Sequence, residues 1–323
     1  MFRAFFRSPE WRLWAYGGAA LLFVLVVAQV VILARLNIWY GDVFDILSNY
    51  EEHTLPEFYT QLGIYCVLVF ALLSPLVIFM VYFERNYMLA WRAAVTDYYA
   101  PHIEKAQFKT VGTAQRVFED VGTFTATVWD IFSTAIESVA TMIAFAPFLW
   151  ELSELIELPH VGRVHGLLIW VCLAFCAIGT LISWLVGWKL ASLEYKKRNI
   201  DALLRKRLEH LEDGVRWYDV VKRVKQATPV LRKRSDNLYR HYAYYGFWDR
   251  VFDEITKYLP FAIVAPAIFA GIVTIGALMK AIDGIQRFIE AGSFFIDKWV
   301  ALMALKAVIK RLKELERDMG IRK

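Results

Sequence analysis

The chain has 323 residues, 58% of them apolar and 16% aromatic, with a formal net charge of +5 and a positive mean hydropathy. Water-soluble domains average about 45–50% apolar residues, so this excess excludes an ordinary soluble domain and points to the bilayer. The positive charge requires no nucleic acid, because Lys and Arg facing anionic lipid account for it.

A membrane-spanning helix needs about 20 mostly apolar residues. The opening "MFRAFFRSPEWRLW" reads as an amphipathic elbow over residues 1–12 on the cytoplasmic surface. The apolar run behind it is too long for a signal peptide, so it is expected to stay as the first span. Spans are predicted at about 13–36, 62–83, 128–149, 167–188 and 258–279. A sixth, at about 288–308, is interrupted by Glu290, Asp297, Lys298 and Lys306. The connection Asn37–Thr60 holds Asp42, Asp45, Glu51, Glu52 and Glu57 but no Lys or Arg. Basic residues gather instead after the second span, after the fourth ("KKR" at Lys196–Arg198, "RKR" at Arg205–Arg207 and Arg232–Arg234) and at the C-terminus. Positive-inside counting therefore puts both termini and these two connections in the cytoplasm. Cys66, Cys172 and Cys176 fall inside apolar runs without His or carboxylate companions, which favours packing over a metal site.

Helical periodicity outlasts the membrane. From about Pro56 to Ile103 only Pro75 and Pro101 interrupt it, and Pro75 is compatible with a kink. At 1.5 Å per residue such a helix reaches roughly 70 Å, about twice the hydrocarbon core. Similar stretches run from Leu167 to Arg207 and from about Asp236 to Met279. The expectation is one domain over residues 1–323, all-α, with six transmembrane helices and two long cytoplasmic hairpins at about 84–127 and 189–250. These hairpins are predicted to turn near Phe108–Gln115 and Gly214–Pro229. That layout matches an exporter-type ABC transmembrane domain, whose hairpin tips dock onto an ATPase. No GxxxxGK[ST] phosphate cradle occurs in this sequence. No HExxH, GxSxG or Cys-His arrangement occurs either, so no enzyme, metal or cofactor is expected.

"WRAAVTDYYAPHIEK" (Trp91–Lys105) followed by "TAQRVFED" (Thr113–Asp120) resembles the SbmA/BacA-like peptide transporters. "NIWYGDVFDIL" (Asn37–Leu47), "KLASLEYKKRNID" (Lys189–Asp201) and "PAIFAGIVTIGALMKAIDGI" (Pro266–Ile285) carry the same resemblance. It implies a homodimer of exporter-type fold without ATPase domains in the bacterial inner membrane. It also implies proton-driven import of peptides, among them proline-rich antimicrobial peptides, microcins and other modified or cationic peptides.

Within the third helix, Glu119, Asp130 and Glu137 recur at intervals of 11 and 18 residues. At 100° per residue these intervals return to within about 20° of one direction, so the carboxylates form a stripe. Thr123, Thr127 and Thr134 fall on or near it, while Phe132, Ile136, Val139 and Ile143 face away. An ionisable group against lipid costs several kcal/mol, so the stripe should line water or another polar helix. One reading is helix packing, with the carboxylates bonded to neighbouring hydroxyls; the other is a proton-binding track. Glu194 and Asp201, in the stretch that carries the resemblance, are further proton-coupling candidates, although Lys196, Lys197 and Arg198 offer them partners. A second stripe, Asp283, Arg287, Glu290, Phe294 and Asp297, mixes charge signs and suggests pairing, with Glu290 and Asp297 lining a cavity. Tyr40, Tyr244 and Tyr245 are candidate substrate-facing aromatics, the last two within "YRHYAYYGFW", which also suits an interfacial belt. The acidic first connection is expected to attract cationic peptides. The alternative to proton-driven import is the membrane subunit of an ABC transporter paired with a separately encoded ATPase.

Overall fold

The computed structural model describes residues 1–103, 119–158, 162–185, 193 and 217–321. The described residues are almost entirely helical: α1 (Phe2–Phe6), α2 (Arg12–Ser48), α3 (Leu55–Ile103), α4 (Val121–Leu155), α5 (Leu167–Leu185), α6 (Trp217–Phe269), α7 (Ile275–Gly292) and α8 (Phe294–Asp318). A two-residue antiparallel pair, Glu157–Leu158 with Gly162–Arg163, links α4 to α5. Among the described residues, α2, α3, α4 and α5 are long and apolar enough to cross a membrane, by length and composition.

Helix α3 shows how the sequence handles its proline. Thr54 and Glu57 form a capping box at its start. Pro75 supplies no N–H and its ring crowds the carbonyl four residues back. The ladder accordingly widens into a π segment over Val67–Leu73, and the Ser74 hydroxyl donates to the Val69 carbonyl at 2.7 Å. The helix thus continues past the proline, as the sequence suggests.

The fifth and sixth expected spans are cut differently from the prediction. Helix α6 stops at Phe269, inside the predicted 258–279 span, because Gly271 takes a left-handed φ of 71°. There its N–H bonds the Ile268 carbonyl, and that of Ile272 bonds Ala267. The 288–308 stretch is likewise divided, α7 ending at Gly292 and α8 starting at Phe294. Neither α7 nor α8 is long and apolar enough to count as a candidate span. At its other end α6 reaches back to Trp217, so Pro229 lies inside a helix instead of in the expected turn. The turn near Phe108–Gln115 lies outside the described residues, as do residues 189–192 and 194–216 of the second hairpin.

The chain divides into two compact units, Met1–Ala174 with Leu259–Lys323, and Phe175–Tyr258. In the second unit the C-terminal part of α5 pairs with α6: Phe175 stacks on Phe252 at 4.6 Å, and the Trp248 indole donates to the Ser183 hydroxyl at 2.8 Å. In the first unit α2 packs on α7, α3 and α4, and α4 also packs on α7 and α8. An aromatic core closes one end. Phe5 of α1 is fully buried, stacks on Trp91 at 5.6 Å and meets Tyr87 edge-on, while Phe124 meets Trp91 edge-on. Leu22, Val95, Tyr99, Leu312 and Leu315 complete it. The predicted elbow is therefore anchored by its aromatic side chains.

At the α2–α7 seam the backbones approach closely. A methyl group on Gly276 would collide with the Gly41 carbonyl oxygen and the Asp45 carboxylate, whereas the atoms nearest one on Gly41 belong to the Lys280 side chain, which can shift more easily than backbone. Between helices in lipid, small residues of this kind supply the packing that the hydrophobic effect supplies in water. Overpacking costs about 1–3 kcal/mol. Gly276→Ala is expected to lower the thermal unfolding midpoint in detergent by several degrees and Gly41→Ala by clearly less, as read by tryptophan fluorescence.

Candidate functional site

Helix α4 presents the predicted carboxylates to three neighbouring helices. Asp130 accepts a hydrogen bond from the Lys298 ammonium of α8 at 2.7 Å. Glu137, two turns on, accepts from the Gln29 amide of α2 at 3.3 Å, and Lys298 also acts on it electrostatically. Glu84 of α3, half-buried, lies within electrostatic reach of Asp130. Two carboxylates of α4 thus share one ammonium, and a third, Glu84, lies beside Asp130 and the Arg85 guanidinium. The Gln29 carbonyl oxygen is buried and has no hydrogen-bond partner among the described residues.

Two features decide what this cluster can do. The Asp130 side chain is 51% exposed in the chain alone, against 19% for Lys298. Exposed ion pairs contribute only about 0.2–1 kcal/mol, so Asp130 is held but not locked. Lys298 is within reach of a second carboxylate, so it need not be left unpaired when Asp130 is neutralised. Gln29 also suits either state of Glu137. Its N–H₂ donates to the carboxylate, and after rotation its vacant oxygen would accept from the carboxylic acid.

Thr123 and Thr134 use their hydroxyl protons on backbone carbonyls and not on the carboxylates. Thr134 donates to the Asp130 backbone carbonyl at 2.7 Å and exposed Thr123 to that of Glu119 at 2.9 Å, while Thr127 is half-buried. Glu119 is exposed beside Asp120, whose carboxylate receives two bonds from Arg311 at 2.9 and 3.0 Å. Glu290 and Asp297 are exposed, at the end of α7 and in the first turn of α8. Tyr40 is 38% exposed and rests edge-on against Phe44. Tyr244, 65% exposed, and half-buried Tyr245 belong to the second unit. Glu194 and Asp201 lie outside the described residues.

A second polar cluster joins two stretches that the sequence reading took separately. Asn37, 4% exposed, donates to the Lys280 carbonyl at 3.0 Å and to Asp283 at 2.9 Å. Arg287 donates to the same Asp283 oxygen at 2.9 Å, so the expected pairing within that stripe is present. Lys280 reaches Asp42 at 2.8 Å, and Asp45 accepts from the Gly276 N–H at 2.8 Å. Asp42 and Asp45 are therefore part of helix α2 and engaged with α7, not members of a free acidic loop. Gln29 was missed because it is a single amide in an apolar run, and Glu84 because it opens the polar Glu84-Arg85-Asn86 stretch at the end of one. In sequence they look like an interfacial residue and a tolerated amide.

The Asp130–Lys298 pair sets a thermodynamic expectation. Lys298→Met should lower the unfolding midpoint by leaving Asp130 and Glu137 without their cation. Adding Asp130→Asn should restore part of the loss, giving a coupling of about 0.2–1 kcal/mol in a double-mutant cycle followed by thermal unfolding.

The SbmA/BacA-like family matches residues 8–320. The inner membrane ABC transporter ATP-binding protein YddA of Escherichia coli K12 is 23% identical over 95% of this chain and 58% of its own length. An uncharacterized ABC transporter ATP-binding protein of Haemophilus influenzae is 22% identical, over 86% of this chain and 51% of its own length. The chloroplastic ABC transporter D family member 2 of Arabidopsis thaliana is 23% identical, over 92% and 42%. The chain spans about half the length of the curated relatives it matches. A family match over nearly all of the sequence, on helices that carry membrane-length apolar runs, makes this chain a member of the SbmA/BacA-like family.

Proposed function

We propose that this protein imports peptides across the bacterial inner membrane as a homodimer, driven by the proton gradient, with both termini in the cytoplasm. The observation that carries this reading is the Asp130–Lys298–Glu137–Gln29 cluster, with Glu84 beside it. Charged groups on apolar helices are expensive and mark ion or substrate paths. A cluster with more carboxylates than cations is one in which a proton changes the balance of forces. Family membership and the transporter names of the relatives support the same class of function.

In the proposed cycle Asp130 takes up a proton from the outer side and releases Lys298, which turns to Glu137. A proton on Glu137 then rotates the Gln29 amide, loosening α4 from α2 and α8. Two copies of each carboxylate would face a shared cavity in the dimer, so neutralisation would reduce repulsion and let the cavity close outside and open inside. Glu119, Glu194 and Asp201 extend the path, and Thr123, Thr127, Thr134, Glu290 and Asp297 line it. Tyr40, Tyr244 and Tyr245 offer faces on which peptide side chains, proline rings included, can stack. Cationic peptides suit the acidic lining.

Uptake of a labelled proline-rich peptide into proteoliposomes under an imposed pH gradient tests this. Uptake is expected to collapse without the gradient and to fall at least tenfold in Asp130→Asn combined with Glu119→Gln. Gln29→Leu, which cannot serve either state of Glu137, should slow uptake while leaving peptide binding intact. Gradient-independent uptake together with a stoichiometric ATPase on co-purification would instead establish the ATP-driven alternative.

A further inference from the structure

The elbow does more than cover the aromatic core. Where α1 meets α3, α4 and α8, a hollow of about 500 Å³ opens, walled by Phe2, Tyr98, Phe124 and Ile309, with Arg3 and Lys313 among its lining residues. Both cations are exposed and neither forms an ion pair among the described residues. Glu316, the carboxylate in its wall, is already engaged: it accepts from the Tyr99 hydroxyl at 2.9 Å and from the Met1 amine at 3.3 Å. A second hollow of about 610 Å³ continues along α8, sharing Ile309 and Lys313 and adding Leu302, Leu305, Lys306 and Lys310.

We propose that these neighbouring hollows bind an anionic phospholipid, its phosphate held by Arg3 and Lys313 and its chains lying along Leu302, Leu305 and Ile309 of α8. Charge complementarity selects an anion, since the two hollows together present four cations and their carboxylate is committed. The lining selects an amphiphile over free phosphate, because aromatic and aliphatic side chains form most of the walls. The stretch 104–118, which joins α3 to α4, suits the site poorly as an occupant: it carries Lys105, Lys109 and Arg116 against Glu104. The lipid would bridge the elbow to α8 and so tie the N-terminal helix to the helix that carries Lys298. This inference stands whether or not the proton-driven reading holds.

Binding is read with the full-length protein in neutral detergent, by the rise in unfolding midpoint and by native mass spectrometry on adding lipid. Phosphatidylglycerol should stabilise the protein and stay bound, whereas phosphatidylcholine and inorganic phosphate should do neither. Arg3→Gln with Lys313→Gln should weaken phosphatidylglycerol binding roughly tenfold or more, the loss expected for two cations near an anionic surface. Arg3→Lys with Lys313→Arg should retain it, which separates lost binding from lost folding. Lys257→Gln, at an exposed lysine already engaged by Asp253 and Glu254, should leave binding unchanged. Equal stabilisation by phosphatidylcholine, an undiminished effect in the double Gln variant, or a full effect from inorganic phosphate would each overturn the proposal.

Discussion

The contact on which the first unit depends is the close approach of α2 and α7. Gly276 leaves room for the Gly41 carbonyl, and that proximity lets the Gly276 N–H reach Asp45. From this point the seam runs down through Lys280 and Asp42 to Asn37, which bridges the α7 backbone and the Asp283–Arg287 pair. Polar groups inside such a seam are costly unless each is bonded, and here donors and acceptors interlock across the two helices. Helix α7 also packs on α4, around Gly284 against Phe145 and Phe148, so the carboxylate-bearing helix rests on both members of the seam.

Two kinds of polar contact emerge, and their different exposure assigns them different work. At the α2–α7 seam Asn37 is almost fully buried and bonds two α7 groups at once, a geometry that resists change. On α4 the Asp130–Lys298 pair is half open, and Glu137 is met by an amide able to donate or accept. In the proposed cycle the buried seam is the frame, and protonation of the more open cluster would shift α4 and α8 against it. The elbow adds a third kind of contact, aromatic stacking, which secures α1 without using any of the titratable groups on α4.

The sequence alone made the apolar runs, the stripe on α4 and the mixed-charge stripe beginning at Asp283 legible, because each is a one-dimensional pattern of spacing and hydropathy. It also showed that Pro75 need not end α3. It placed no break near Gly271, where apolar content continues while the backbone turns, because hydropathy does not register a left-handed φ; the break at Gly292–Ser293 has no positive φ and is equally silent in hydropathy. Pro229 misled in the opposite direction, since a proline reads as a break even where the helix continues through it.

What only the tertiary structure decided is which groups meet. Spacing places Asp130 and Glu137 on one face, but nothing in the spacing indicates that Lys298, 168 residues from Asp130, sits against them, or that Gln29 lies opposite Glu137. Asn37 and Asp283 are separated by 246 residues, and both belong to the quoted stretches that carried the resemblance, yet their contact had no sequence signature. Periodicity is set by bonds along one helix and can be read from one helix. Partnership is set by how helices pack, and it exists only once they have packed.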